Sequence, residues 1–315
     1  RQYWIPWLMA AWTGAFLYFG YSVCRSHGDT KLPGYMMVAT SLTNIALDPL
    51  YIFVVGWGLP GAAWATITSF GIGCLVIYPK LLKRQWVRFD LQELALWKAL
   101  KQLNGIMAPA MVSQLMPAVS AMLATALVAG FGSAAVAAWG LGTRLEFFSI
   151  VVVLALTMSM PPMIGRMLGA GDIEQIRKLV RLAVRFVVVW QLAIGLTWVV
   201  ASGLVSELFS SDSDVQEVLA GYLVRVPLSY SGLGVCMLMV SVCNALGLAM
   251  RALLVSTLRL FLCFLPLLWI GSQINGVYGL MSGALVGNLF AGAMAYSFYR
   301  AGMTRLKAEI SSGKA

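Results

Sequence analysis

Long stretches of apolar residues, separated by short polar turns, recur along the whole chain. Each stretch is near or above the ~20 residues that an α-helix needs to cross a lipid bilayer. The pattern therefore predicts an all-α polytopic membrane protein with nine transmembrane helices. The predicted helices cover residues 3–25, 33–56, 60–83, 106–130, 134–166, 176–208, 217–245, 250–272 and 277–299.

The polar turns between these helices alternate in charge. Every second turn holds basic residues, whereas the turns at Trp57, 131–134, 209–216 and 273–276 hold none. Because loops rich in Lys and Arg stay in the cytoplasm, we expect a multi-pass protein of the bacterial inner membrane with a cytoplasmic C-terminus. The basic turns and the basic tail contain Arg25, Lys31, Lys80, Lys83, Arg84, Arg88, Lys98, Lys101, Arg166, Arg177, Lys178, Arg181, Arg185, Arg251, Arg300, Arg305, Lys307 and Lys314.

Composition excludes the other broad classes of protein. Of the 315 residues, 60% are hydrophobic and 11% are charged, which fits neither a soluble globular domain nor a disordered chain. The net charge of +10 lies mostly between the apolar stretches, so it indicates membrane topology and not nucleic-acid binding. The five cysteines lie in or beside apolar stretches without metal-ligand spacing, and we interpret them as small packing residues.

An internal repeat relates the first three predicted helices to the last three. Three short matches occur in order at nearly one offset, 217 to 219 residues, and helices four to six have no partner within the chain. We therefore expect a remnant of a twelve-helix transporter with two six-helix lobes, lacking about three helices at its N-terminus. The matched segments are 22–28 with 241–247, 47–53 with 264–270, and 58–61 with 276–279.

The repeat also suggests how the chain divides. Residues 1–85 would form the C-terminal half of the first lobe, and residues 86–104 a cytoplasmic connector. Residues 105–303 would form the complete second lobe, and residues 304–315 a cytoplasmic tail.

Asp48 is the acidic residue of the apolar run 32–55, where a carboxylate costs ~2.5–3.5 kcal/mol on insertion scales. Asn44 stands four residues earlier, so the two side chains share one face of a helix. Pro49 follows and removes a backbone donor, which frees the carbonyl oxygen of Ile45. Thr66 lies at a similar depth on the next predicted helix. These oxygen ligands predict a site for a small cation or a proton.

This polar chemistry occurs in one copy of the repeat only. At an offset of 217 residues, Leu265 replaces Asp48 and Phe261 replaces Asn44. An architectural role would be expected in both copies, so the asymmetry favours a functional site over a polar pair that only holds helices together.

Other polar and proline residues inside the apolar stretches are weaker candidates. Gln114, Arg144 and Glu146 could line a substrate cleft, although a buried structural ion network explains them equally well. Pro161 and Pro162 are expected to break or bend the fifth predicted helix and, with Pro49, to act as hinges.

Several motifs of this sequence resemble the multidrug and toxic compound extrusion (MATE) family, and the resemblance covers essentially the whole chain. The first helix of the second lobe, 106–130, contains no acidic residue, so the chain is more similar to the DinF-like branch than to the NorM-like branch. The motifs are Gly28-Asp-Thr-Lys-Leu-Pro33, Asn44-x3-Asp48-Pro49-Leu50, Gly61-Ala-Ala-Trp-Ala-Thr66, Gly140-Leu-Gly-Thr-Arg-Leu-Glu146, Met160-Pro-Pro-Met163 and Gly169-Ala-Gly-Asp172.

The resemblance implies a cation-coupled antiporter that exports organic cations and drugs in exchange for Na⁺ or H⁺. In DinF-like members an Asn and an Asp four residues apart, a Thr on the next helix and an Asp from the first helix bind the coupling cation. Asn44, Asp48 and Thr66 fall on the first three positions. The fourth ligand is expected on a helix that this chain does not include.

The sequence is also compatible with other functions. The alternative of the same superfamily is a flippase for lipid-linked saccharides, which would use cationic residues such as Arg144, Arg225 and Arg259 to bind a pyrophosphate. An intramembrane enzyme would need a paired aspartate, a zinc motif or an activated nucleophile, and the sequence contains none of these motifs. We expect a monomer in the lipid bilayer that binds amphipathic cations, with no nucleic-acid partner, no metal beyond Na⁺, and no cofactor besides the coupling ion.

Overall fold

A computed structural model describes residues 4–87 and 96–311 of the chain, and these residues fold into helices and short turns. The helices are α1 (Trp4–Ser26), α2 (Lys31–Pro49), α3 (Leu59–Lys83), α4 (Leu96–Ala129), α5 (Ser133–Ser149), α6 (Val151–Gly169), α7 (Ile173–Phe209), α8 (Ser213–Arg225), α9 (Tyr230–Ala245), α10 (Ala249–Leu258) and α11 (Leu265–Ser311). A 3₁₀ turn at Val226–Ser229 joins α8 to α9, and wide π turns at Leu50–Val54 and Arg259–Phe264 extend α2 and α10.

The predicted all-α membrane architecture is confirmed. Within the described residues, seven helical stretches are long and apolar enough to cross a membrane. The last, Ala249–Thr304, contains 56 residues and is interrupted at Asn275 and Gly276, so it divides into two. With the 23-residue α1, nine helical stretches occupy the nine positions that the hydrophobic pattern predicts.

The chain forms two compact units, Arg1–Leu96 and Trp97–Ala315. The boundary lies inside the predicted connector 86–104, but α4 already begins at Leu96. Residues 88–95 of that connector lie outside the described residues. The predicted tail from residue 304 begins as a continuation of α11, which extends to Ser311.

In the first unit, α3 packs against both α1 and α2. Gly73 of α3 stands where the two meet, because a Cβ there would lie 2.8 Å from the Thr40 methyl group and 3.0 Å from the Leu17 side chain. The missing side chain lets three helices converge, a common use of small residues between transmembrane helices.

The turns at one end of this unit are joined by polar and aromatic contacts. Arg84, just after α3, forms an ion pair of 2.6 Å with Asp29, between α1 and α2. The guanidinium group also lies over the Trp86 ring, and the His27 ring stacks on the same tryptophan at 4.5 Å. Hydrogen bonding to Arg84 lowers the pKa of the Asp29 carboxyl group below its usual value.

In the second unit, α9 is buried along most of its length and packs against α6, α7, α10 and α11. Polar contacts between helices support this core. The Ser149 hydroxyl group accepts a hydrogen bond of 2.8 Å from the Trp198 indole, and the Ser149 carbonyl accepts one of 3.2 Å from Gln191. Asn288 of α11 donates to the Ser229 hydroxyl group at 3.0 Å.

Backbone dihedral angles recur at a matched position of the sequence repeat. Gly58 has φ 56° and ψ −138°, and Gly276, 218 residues later, has φ 54° and ψ −137°. This region of φ and ψ is essentially restricted to glycine, so both turns depend on the same residue type. Gly14 faces Phe70 across α1 and α3, and their counterparts at the same offset, Gly232 and Asn288, face each other across α9 and α11.

Of the two effects predicted for the proline pair, a break or a bend, the break does not occur and the bend stays a prediction. Pro161 and Pro162 do not break the fifth predicted helix, because α6 continues through both residues. The interruption lies at Ile150, where φ −91° and ψ 0° separate α5 from α6. Proline disfavours the helical interior through a lost donor and a clash with the preceding turn, but spanning helices tolerate it where neighbouring helices pack against them, as α7 and α9 do against α6. Whether the two prolines act as a hinge stays a prediction.

Candidate functional site

Asp48 and Asn44 lie on one face of α2, one helical turn apart. The Asn44 amide nitrogen donates to an Asp48 carboxylate oxygen at 3.4 Å. Both side chains are half-buried. The Asp48 carboxylate forms no ion pair with a basic side chain of the described residues. Its polar neighbour on α2 is the Asn44 amide group.

Thr66 of α3 completes this polar group. The same Asn44 amide nitrogen lies 3.4 Å from the Thr66 hydroxyl oxygen. The Thr66 hydroxyl group itself donates to the Ala62 carbonyl one turn earlier, at 3.0 Å. The fold therefore brings together the three residues that the sequence predicts as cation ligands, with Asn44 in the middle.

The two Asn44 contacts are long for hydrogen bonds, whose usual N···O distance is about 2.9–3.0 Å. The amide oxygen and nitrogen exchange places on a half-turn of the amide group. After that turn Asn44 would present an oxygen to the space beside Asp48 and Thr66. Carboxylate, amide and hydroxyl oxygens together form a hard donor set that suits Na⁺ or a proton.

The backbone beside this group departs from α-helical geometry. Pro49 ends α2, and the following π turn has its Val55 amide donating to the Leu50 carbonyl at 2.9 Å. Wide turns of this kind often occur at functional sites. A Cβ on Gly61 would lie 2.8 Å from the Tyr51 carbonyl oxygen, so this glycine allows α3 to approach the turn closely.

Sequence reasoning missed the supporting role of Tyr51. Its hydroxyl group lies 3.5 Å from the Thr68 hydroxyl group, and its ring contacts the Trp57 ring at 5.4 Å. These contacts join the π turn to α3 and to the turn between the helices. A clue to this role lies in the sequence, where Tyr51 directly follows the motif residues Asp48-Pro49-Leu50.

The weaker candidates of the second unit do not form one group. Gln114 and Arg144 are exposed, and neither makes a hydrogen bond or ion pair with another described residue. Glu146 is half-buried and accepts a hydrogen bond of 3.3 Å from the Tyr222 hydroxyl group. The structure thus separates Glu146 from the other two and gives it a tyrosine partner.

Tyr222 fits against α5 because Gly142 has no side chain. A Cβ on Gly142 would lie 2.5 Å from the Tyr222 ring. The Tyr222 ring also packs edge-on against Trp139 at 5.4 Å. Sequence reasoning did not single out Tyr222, although the glycine spacing Gly140-Leu-Gly142 indicates a close approach on α5.

No group of three or more His, Cys, Asp or Glu side chains that could hold a metal ion occurs among the described residues. This finding concerns transition-metal and calcium-type clusters. A Na⁺ site built from one carboxylate, one amide and one hydroxyl group is a different kind of site, and the group around Asn44 has that composition.

The family model MatE matches residues 109–270 of the chain. A protein of Shewanella oneidensis named "FAD transporter" is 32% identical over 307 residues, which are 94% of this chain and 67% of that protein. The "Probable multidrug resistance protein YpnP" of Bacillus subtilis is 26% identical over 300 residues, with the same two coverages. The chain thus spans about two thirds of the length of both relatives.

A solved structure agrees with this assignment. The Vibrio cholerae MATE transporter VcmN, in a crystal structure described as the bent form, has 52% sequence identity and a TM-score of 0.92. The alignment covers 96% of this chain and 69% of VcmN. The fold, the family model and the curated relatives agree that this is a multi-pass membrane transporter and not an enzyme. The chain therefore belongs to the MatE family, the multidrug and toxic compound extrusion transporters whose motifs its sequence resembles.

Proposed function

We propose that this chain forms part of a secondary active multidrug efflux antiporter that exports amphipathic organic cations in exchange for Na⁺ or H⁺. The observation that carries the proposal is the contact of Asn44 with both Asp48 and Thr66. It joins a carboxylate on α2 to a hydroxyl group on α3, inside an apolar run where a carboxylate is costly without a function.

The absence of this group from the second copy of the repeat supports a coupling role. Leu265 and Phe261 stand at the positions that correspond to Asp48 and Asn44. A proline, at 266, also recurs there, whereas the π turn of that helix, Arg259–Phe264, lies before the proline and not after it, so the proline is shared but the oxygen ligands are not. A device for shaping helices would not need the carboxylate.

Cation binding at this group would act on the backbone through Pro49. A cation that attracts the Asp48, Asn44 and Thr66 oxygens would draw α2 and α3 together on one side of the proline and its π turn. Release would let the two helices relax. A ligand shifts a conformational equilibrium only through its different affinity for the two states, and the three oxygens would provide that difference.

Replacing Asp48 by asparagine tests the coupling role. In cells that express the gene encoding this chain, we expect Asp48→Asn to abolish drug resistance and dye efflux, since asparagine neither binds Na⁺ with full charge nor carries a proton. Asp212→Asn is the matched control, because Asp212 caps α8 through the Asp214 amide and asparagine caps equally well. Coupled efflux that survives Asp48→Asn at comparable expression would refute the proposal.

The same assay distinguishes the coupling ions. With Na⁺ coupling, dye efflux from vesicles should require a Na⁺ gradient at constant pH. With H⁺ coupling, efflux should follow the pH gradient in Na⁺-free buffer. One carboxylate can serve either ion, so the chemistry of the site alone does not select between them.

A second candidate substrate is a phosphate-bearing molecule such as FAD. The observation that favours it is the 32% identity to the Shewanella oneidensis protein named as an FAD transporter. A pyrophosphate would require cationic side chains, as the lipid-linked saccharide alternative also would. Two of the three arginines considered for that role have other contacts, since Arg225 donates to the Gly221 carbonyl and lies over the Tyr278 ring, and Arg259 lies over Phe264.

These substrate classes are separable in vesicles that contain the purified protein. Efflux of a fluorescent organic cation, with no movement of FAD or of a labelled lipid-linked saccharide, supports the multidrug proposal. Movement of FAD without movement of the cation would replace it by the second candidate, and movement of the lipid precursor by the flippase.

A further inference from the structure

A cationic cavity lies between α7 and α11 of the second unit. Its volume is about 230 Å³, well above the ~30 Å³ that one water molecule occupies in the liquid. Both helices pack against α9, which holds them as the two walls of a cleft. The described residues that line the cavity are Arg177, Arg181, Tyr296, Tyr299, Arg300, Met303 and Thr304.

The charge of this cavity is positive and uncompensated. Arg177 and Arg181 stand four residues apart on one face of α7, and Arg300 faces them from α11. None of the three forms an ion pair with a carboxylate of the described residues, and no acidic side chain is among those that line the cavity. Three neighbouring guanidinium groups repel one another, so an anion between them would be stabilising.

Tyr299 points independently to a ligand in this cavity. Its side chain is 5% exposed, and its hydroxyl group is buried without a hydrogen-bond partner among the described residues. A buried polar group without a partner costs about 1–3 kcal/mol, and such groups in folded proteins call for an explanation. A phosphate oxygen in the cavity would accept a hydrogen bond from this hydroxyl group.

The surroundings favour a lipid over a free anion. Beyond the arginines, α7 exposes Leu182, Phe186 and Val189, and α11 exposes Phe290. Exposed apolar surface on spanning helices is what acyl chains cover. The cavity therefore lies where an acidic headgroup would meet the protein while its acyl chains follow the helices. Basic cavities between helix ends are a recognised binding mode for acidic headgroups.

We propose that this cavity binds the phosphate group of an anionic phospholipid, with Arg177, Arg181 and Arg300 as charge partners and Tyr299 as hydrogen-bond donor. The site is distinct from the cation site of the first unit. It would anchor α7 and α11 to the membrane leaflet on the side of the basic turns.

Lipid titration of the purified chain tests the proposal. In detergent, followed by native mass spectrometry, phosphatidylglycerol should bind in preference to phosphatidylcholine with the same acyl chains. The double variant Arg177→Gln and Arg181→Gln should weaken phosphatidylglycerol binding at least about tenfold, because charge-assisted hydrogen bonds are among the strongest. Lys178→Gln, an exposed neighbour that does not line the cavity, is the matched control and should bind as the parent does.

Two further measurements separate the proposal from weaker explanations. Tyr299→Phe should leave the lipid-free melting temperature unchanged or raised, since the hydroxyl group has no partner to lose among the described residues, while it weakens lipid binding. Arg300→Gln serves if the double variant does not fold. Equal losses in Lys178→Gln and the double variant would overturn the proposal, as would binding of phosphatidylcholine at equal affinity. Binding of inorganic phosphate that phosphatidylglycerol does not displace would also overturn it.

Discussion

At the scale of single residues, glycines decide where helices approach each other. Gly142 and Gly140 belong to one motif on α5, yet only Gly142 faces another side chain, the Tyr222 ring. Gly140 has open space where its Cβ would be. The same residue type two positions apart therefore has two different roles, and only the packed structure distinguishes them.

We expect Gly142→Ala to destabilise the protein by about 1–3 kcal/mol, because overpacking forces the Tyr222 ring away from α5 and from Glu146. Gly140→Ala should leave stability unchanged or raise it slightly, since alanine is the better helix former. Thermal unfolding in detergent measures both. Equal melting temperatures for the two variants would contradict the tight contact at Gly142.

At the scale of helices, the turns depend on backbone shapes that few residues adopt. Gly58 precedes α3, and Gly276 interrupts α11, with nearly the same dihedral angles. Both stand at the turn between two spanning stretches, and both belong to the repeat. The irregular segments of the chain thus recur with the repeat, although its functional side chains do not.

Gly276→Ala should lower the free energy of unfolding by about 1–3 kcal/mol, because φ 54° with ψ −137° strains any residue that has a Cβ. Gly203→Ala is the matched control, since Gly203 lies within α7 with open space around it. The measurement is again the melting temperature. A drop in Gly203→Ala as large as in Gly276→Ala would point to general packing and not to turn geometry.

The ion pair between Asp29 and Arg84 joins the turn after α1 to the end of α3. The pKa of Asp29 is lowered mainly by hydrogen bonding to Arg84, so the ionised carboxylate is stabilised in the folded state. Its contribution is present above the ordinary carboxyl pKa of about 4 and is lost as the pH falls through the lowered value. Because Arg84 is 46% exposed, the contribution is at most about 1 kcal/mol.

We therefore expect Asp29→Asn to be less stable than the parent at pH 7, and the difference to disappear as the pH falls below about 4. Melting temperatures across that pH range, read in detergent, provide the measurement. In an Arg84→Gln background the Asp29 substitution should have little effect at any pH. A difference that persists at low pH would assign the effect to something other than this ion pair.

At the scale of the whole molecule, charge and hydrophobicity determine how the chain crosses the membrane. In the described parts of the chain, 4–87 and 96–311, nine helical stretches separate basic turns from turns without basic residues. Nine crossings, as the hydrophobic pattern predicts, would place the first and last helices' outer ends on opposite sides of the membrane. The cytoplasmic position of the C-terminus follows from the positive-inside rule and stays a prediction.

A reporter fused after Ala315 tests this orientation. A fluorescent protein that folds only in the cytoplasm should be bright at this end, whereas alkaline phosphatase, which requires the periplasm, should be inactive. The opposite pattern would invert every loop assignment, and with it the side on which the α7–α11 cavity meets the membrane.

Sequence alone predicted the fold class, the nine helical stretches and the repeat, because apolar length and charge alternation are dictated by the bilayer itself. It also named Asn44, Asp48 and Thr66, since a carboxylate within an apolar run is costly enough to stand out. Four-residue spacing placed Asn44 beside Asp48 without any knowledge of the fold.

The contacts between residues that lie far apart in the chain became known only from the packing of the helices. The tertiary structure placed Thr66 within 3.4 Å of Asn44, gave Glu146 its Tyr222 partner, and showed that the helix is interrupted at Ile150 and not at Pro161. It also brought Arg177 and Tyr299 to one cavity, although they lie far apart in the chain. Hydrophobic patterning shows which segments are helical, but which side chains meet is determined by how those helices pack.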